Sequence, residues 1–106
     1  MISVEIFTNA DGMIIGYRVK GHSGTAEHGH DIVCAGVSAL TQSALLGIME
    51  YLHRTVIYDI ASGNLEMRFS EPPDDCTEAI LRTMYMGLAE IEKISPKDIQ
   101  IQEVKG

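Results

Sequence analysis

The 106-residue sequence has no tryptophan, two cysteines, three prolines and only eight basic residues against fifteen acidic ones. Each scarcity excludes something. Eight scattered Lys and Arg residues and a formal charge of −7 do not supply the clustered cationic face of a nucleic-acid binder, so no direct nucleic-acid binding is expected. Two cysteines 42 positions apart, Cys34 and Cys76, make neither a C-x-x-C metal motif nor a disulfide framework. The amino terminus lacks a basic segment followed by a long apolar one. The longest strongly apolar run, Ile32 to Leu40, is too short to span a bilayer. A cytoplasmic, thiol-reducing address is the expectation, with no membrane partner and both cysteines as thiols. With 45% apolar residues the chain can bury a core without staples, so a single globular domain over residues 1–106 is expected.

What is present reads as alternating elements. Ile2, Val4 and Ile6 alternate with Ser3, Glu5 and Phe7, and Met13, Ile15, Tyr17 and Val19 repeat the pattern beyond Asn9-Ala10-Asp11-Gly12. Two period-two runs about such a turn predict a β-hairpin. From Gly21 to Asp31 the pattern stops in a glycine- and histidine-rich stretch without large aliphatics, which predicts a surface loop. Val33, Val37, Leu40, Ala44, Ile48 and Tyr51, widened by Leu45 and Leu52, predict a helix over Ile32–His53, with Asp31 as its N-cap. Ala35, Gly36, Ala39, Ala44 and Gly47 would keep that helix thin enough to lie close against a sheet. Val56–Ile60 and Leu65–Phe69 predict a second hairpin. Pro72-Pro73-Asp74-Asp75 announces a second helix, with Asp75 and Glu78 as an approximate capping box and Ile80, Met84, Leu88 and Ile91 as its stripe. Ser95-Pro96 ends it, and Ile99, Ile101 and Val104 suggest a last, partly irregular strand. The order is ββαββαβ, an α+β fold with a mostly antiparallel five-stranded sheet and two helices packed on it. Strand order within the sheet is not readable.

Chemistry can concentrate around the loop. Cys34 lies about one turn into the first helix if Asp31 caps it. The helix dipole and unpaired N–H groups would then favour a thiolate. A small buried core cysteine is the plainer alternative. His22 stands at the end of the second strand, across the loop from Cys34, and a nucleophilic thiol needs an imidazole within reach. Alone, His22 would be an ordinary loop histidine. Asp31 can cap the helix or orient His22. Ser38 shares the face of Cys34 one turn on, either bonding the sulfur or filling space. His22, His28, His30, Asp31 and Cys34 raise the question of zinc, but no zinc spacing is matched and no metal or other cofactor is expected. The glycines form no nucleotide-binding motif. Cys76, beside Asp74 and Asp75, reads as a bystander.

Gly21-His22-Ser23-Gly24, followed by Gly29-His30-Asp31-Ile32-Val33-Cys34-Ala35-Gly36-Val37-Ser38-Ala39-Leu40, resembles the signature of the ribosomal-processing cysteine proteases. The resemblance extends over the chain in length and element order. It implies a cysteine endopeptidase that removes an N-terminal extension from a large-subunit ribosomal protein, the twenty-seventh in the standard naming, before or during ribosome assembly. It also implies a catalytic pair matching His22 and Cys34, with Asp31 and Ser38 supporting. A homodimer and a mobile loop, to which Gly21, Gly24 and Gly29 would lend freedom to close over a peptide, complete the expectation. Thr25 and His28 stand where the family more often has aromatic residues, His30 where it has another polar residue, and Gly36 where it has alanine. The competing class is a ribosome-associated binding module whose cysteine is structural.

Overall fold

The computed structural model describes residues 1–21, 28–61 and 63–106, those at 28–31 by their backbone alone. Five strands, β1 (Ile2–Thr8), β2 (Ile14–Lys20), β3 (Val56–Ala61), β4 (Asn64–Phe69) and β5 (Ile99–Lys105), form one sheet in the order β3-β4-β2-β1-β5. Two long helices, α1 (His28–Leu46) and α2 (Asp75–Ile94), complete the expected ββαββαβ order. All neighbouring strands are antiparallel except β1 and β5, which run parallel. The last strand is regular over its seven residues, because pairing with β1 along its whole length supplies the backbone partners.

The first hairpin turns where its side chains dictate. Asn9 Oδ1 accepts from the amides of Asp11 and Met13, both at 3.0 Å, and Gly12 takes a positive φ of 81°. The register shifts between Phe7 and Thr8, which pair with Gly16 and Ile14. This bulge leaves Ile15 unopposed and turns Ile14, rather than the expected Ile15, into the core. The inner face of the sheet is then Ile2, Val4, Ile6, Ile14, Tyr17, Val19, Leu65, Met67 and Ile99, all buried. Each such aliphatic side chain removed from water is worth roughly 1.5–3 kcal/mol.

Helix α1 starts at His28, so Gly29, His30 and Asp31 lie within its first turn, and the predicted loop shrinks accordingly. Asp31 is inside the helix and is not its N-cap. At the other end the helix widens into a π-helical turn, Gly47–Tyr51, where Leu52 N–H reaches back to the Gly47 carbonyl at 3.0 Å. A wider turn breaks the 3.6-residue phase, and Tyr51, expected in the apolar stripe, is 81% exposed. Gly36 and Gly47 do keep α1 thin, but toward the other helix. A Cβ on Gly36 would stand 3.2 Å from Ile91 Cδ1, and one on Gly47 would stand 3.4 Å from Ile80 Cδ1. From the opposite side, Leu40 of α1 fills the space above Gly87 of α2. Residues 32–51 form a stretch long and apolar enough to cross a bilayer by composition. Here it serves as a core helix, burying Val33, Val37, Leu45 and Ile48 in the same cluster as the sheet.

The second helix is capped one residue earlier than the sequence suggested. Asp74 is the N-cap: its Oδ1 accepts from Thr77 N–H at 2.9 Å, and Thr77 Oγ1 accepts from Asp74 N–H at 2.9 Å. Thr77 completes this box because it is fully buried at the cap, whereas Glu78 turns to the hairpin and accepts from Ile14 N–H at 2.9 Å. Asp74→Ala is expected to lower stability by about 1 kcal/mol, measured by urea unfolding. Asp75→Ala, which removes no cap bond, should cost less than half of that.

Candidate active site

Three strand ends meet at one end of the sheet. Strand β2 finishes there at Lys20, β1 begins at Ile2, and β4 begins at Asn64. Gly21 continues β2 with φ +83°, and its N–H donates to the Gly63 carbonyl at 2.9 Å. A Cβ there would lie 2.7 Å from the Met1 carbonyl oxygen, so both the backbone angle and the space demand glycine. His22 follows directly. His22 and Gly24 lie outside the described residues, as do the side chains of His28, His30 and Asp31. Gly29 is described by its backbone, in α1.

Cys34 is the seventh residue of α1 and is 6% exposed. Six rises of 1.5 Å put it about 9 Å along the axis from the helix start, nearly two turns in. The dipole effect fades within the first turn, so it favours a thiolate here less than a one-turn position would. The amides without intrahelical acceptors belong to the turn that starts at His28, not to Cys34 itself. Burial alone also suits a core cysteine, and Cys34 does share the apolar cluster with Val33 and Val37. Cys76 is exposed at the start of α2, remote in the chain from this end, and neither cysteine is in a disulfide.

Rotation about α1 shows which way Cys34 faces. Successive residues turn by about 100°, so positions two apart lie about 200° around the axis. Gly36 and Leu40 face α2. Cys34 and Ser38, each two positions from Gly36, therefore lie on the flank turned away from α2. Thr41 supports this placement from below: its carbonyl accepts from the buried Tyr17 hydroxyl at 2.7 Å, which fixes α1 over β2. Ser38 is half-buried, and its carbonyl receives a long 3.5 Å bond from Thr41 Oγ1. A groove of about 460 Å³ lined by Leu40, Ala44, Gly47, Ile80 and Met84 runs between the helices, on the opposite flank from Cys34.

The Tyr17–Thr41 link carries its own pH signature. Burial holds the Tyr17 phenol well above its ordinary value of 10.0. A group raised in the folded state contributes stability that is complete below its unfolded pKa and is lost as pH climbs toward the folded one. Stability is thus expected to fall above pH 10, with Tyr17 contributing a slope of about 1.4 kcal/mol per pH unit. Tyr17→Phe should lose about 1 kcal/mol at pH 7 and show a shallower decline above pH 10, read by urea unfolding across pH.

The sequence compared with known families now decides the lineage. The model of the cysteine protease Prp family matches residues 1–100. The chain belongs to this family. The ribosomal processing cysteine protease Prp of Staphylococcus aureus is 33% identical over 104 residues, covering 95% of this chain and 97% of the relative. Among solved structures, an S. aureus Prp in complex with a substrate peptide superposes with a TM-score of 0.90 at 28% identity, covering 97% of this chain and 99% of that one. An S. aureus Prp with a covalently linked product peptide gives 0.86 at 30% identity and the same coverage. The chain is thus a member of a ribosomal-processing cysteine protease family and shares the Prp fold from end to end. Among the described residues no group of three or more His, Cys, Asp or Glu side chains is placed to hold a metal ion.

Proposed function

We propose that this protein is the cytoplasmic endopeptidase that removes the N-terminal extension of the twenty-seventh large-subunit ribosomal protein, with Cys34 as nucleophile and His22 as general base and acid. The observation that carries the reading is the near full-length match to a ribosomal-processing cysteine protease, in a chain whose buried α1 cysteine follows the segment opened by His22. The S. aureus relative's covalently linked product peptide supports a covalent route.

In this mechanism His22 takes the Cys34 proton, and the thiolate attacks the scissile carbonyl to form a tetrahedral oxyanion. Amides in the first turn of α1 donate to that oxygen. Collapse breaks the C–N bond, His22 protonates the leaving amine, and the mature ribosomal protein departs first. The extension stays on Cys34 as a thioester. Water activated by His22 hydrolyses it, restoring the thiol. Asp31 orients His22, and Ser38 supports the sulfur from the next turn of α1. The glycines Gly21, Gly24 and Gly29 serve the segment that closes over the peptide. The protein works as a homodimer, without cofactor and without contacting nucleic acid. Its charge of −7 suits encounter with a basic ribosomal protein.

Incubation with the N-terminally extended ribosomal protein, followed by intact-mass measurement, tests this reading. The expected result is two products whose masses sum to substrate plus one water. An unchanged substrate mass after prolonged incubation would favour the binding module.

A further inference from the structure

We propose that Tyr17 is a positioning residue: its buried hydroxyl, bonded to the Thr41 carbonyl, sets how far α1 reaches along β2 and so where the Cys34 sulfur stands for reaction. It rests on the proposed role of Cys34 as nucleophile, to which it adds a residue acting through the helix.

Helix α1 runs against β2. Helix α2 starts beside the first hairpin, where Glu78 accepts from Ile14 N–H and Arg82 Nη2 donates to the Gly12 carbonyl at 2.6 Å. It passes β5 near its own end, where Glu92 accepts from Ile101 N–H at 2.9 Å, and Ile101 is in register with Val4 and through it with Val19. So α2 points the same way as β2. Gly47 of α1 meets Ile80 and Gly36 meets Ile91, so α1 points the opposite way. Passing back from Thr41 to Cys34 therefore leads toward the C-terminal end of β2.

Two routes give the same level for Cys34. Seven rises of 1.5 Å carry it about 10 Å from Thr41, the length of about three strand residues, which from Tyr17 reaches Lys20. Separately, Gly36 meets Ile91, the neighbour of Glu92, whose partner Ile101 is in register with Val19, and Cys34 lies about 3 Å further on. Both routes put Cys34 abreast of the last residue of β2.

The Tyr17 hydroxyl is suited to hold that level. Val33, Val37, Leu45 and Ile48 join α1 to the core by apolar contact. Such contacts are individually weak and non-directional, and they resist separation more than sliding. A hydroxyl-to-carbonyl bond of 2.7 Å has a set length and direction. Water cannot stand in for it, because Tyr17 is fully buried and Thr41 is 1% exposed. Thr41 Oγ1 donates to the Val37 carbonyl at 2.8 Å within its own helix, so it is the carbonyl that α1 offers to β2 here. Thr41 and Cys34, seven positions apart, differ by only about 20° around the axis, so the bond and the sulfur share one line of the helix. A slide of α1 is thus passed directly to the sulfur, and a misplacement of about 1 Å costs a reaction roughly a hundredfold.

The test is steady-state cleavage of the N-terminally extended ribosomal protein by Tyr17→Phe, which removes one oxygen from the core and leaves the ring. Rates are taken per folded molecule, from urea unfolding in the same buffer. The expected result is a kcat about tenfold lower with KM within twofold of wild type. Asp74→Ala, with a similar expected loss of stability but beside the first hairpin, should keep both constants within twofold. A kcat less than threefold below wild type overturns the proposal, as does a loss carried by KM or an equal loss in Asp74→Ala. A Tyr17→Phe protein that does not fold overturns it too, because the hydroxyl is then a requirement of the fold and not of the reaction. Cleavage that survives Cys34→Ala defeats the proposed function, and the positioning with it. Cleavage that needs Cys34 but not the Tyr17 hydroxyl defeats the positioning alone.

Discussion

Cys34→Ala is expected to lower cleavage of the extended ribosomal protein by at least roughly 10⁴-fold, to below detection in most assays. No other group near it can form the thioester. Cys76, the second thiol, is exposed on α2 and belongs to a different part of the fold. The stability cost should be small. Removing one buried sulfur forfeits about 1 kcal/mol of burial, a Tm decrease of about 4–8 °C for a domain of this size. Cys34→Ser leaves nearly the same volume in place and separates the two effects. A hydroxyl is not ionised at neutral pH, so this variant should fail to cleave although it leaves no cavity, its own stability cost being that of a hydroxyl in the apolar cluster. Cleavage by either variant at more than a hundredth of the wild-type rate would remove Cys34 from the nucleophile's role.

The second large effect concerns the frame that carries the site. Gly16→Ala is expected to destabilise the protein by about 3 kcal/mol. A Cβ at Gly16 would press into the Met67 carbonyl oxygen and lie 3.1 Å from the Cα of Arg68, both backbone atoms of β4. Backbone cannot rotate aside as a side chain can, so relief requires β2 and β4 to part. Those strands carry Tyr17, Val19, Leu65 and Met67, four buried residues of the inner face. The expected decrease in Tm is roughly 10–20 °C. Gly12→Ala is the control, since a Cβ there meets nothing within 4 Å and only its φ of 81° opposes the change. It should cost about 1 kcal/mol. Equal losses for the two glycines would show that crowding between β2 and β4 is not what Gly16 prevents.

Local chemistry explains how much of the fold could be read in advance. Both hairpins and both helices were legible because alternation, helical spacing and turn residues act within a few positions. The departures arise where a distant partner intervenes. Ile14 replaces Ile15 in the core because a bulge against Phe7 and Thr8 changes the phase. Asp74 rather than Asp75 caps α2 because Thr77 is buried at that point and Glu78 is drawn to the Ile14 amide. Tyr51 leaves the stripe because a π-helical turn resets the helix. The parallel pairing of β1 with β5, the first and last strands, has no local signal.

The candidate site divides in the same way. The chemistry proposed for it rests on one short motif, so Cys34 and His22 could be put forward without knowing where any strand went. Its orientation could not. Which flank of α1 holds Cys34 depends on Gly36 and Leu40 meeting α2, and what that flank faces depends on the strand order.

The covalent intermediate tests the account most directly. A peptide ester carrying the extension sequence is expected to acylate the protease faster than water deacylates it, so that the thioester accumulates. Quenching in acid and digesting the protein should then give one fragment, the one containing Cys34, heavier by the acyl mass of the extension. The released alcohol should appear in equal amount. Turnover with an adduct on Cys76, or with no adduct on any residue under conditions that trap a thioester, would contradict Cys34 as the nucleophile.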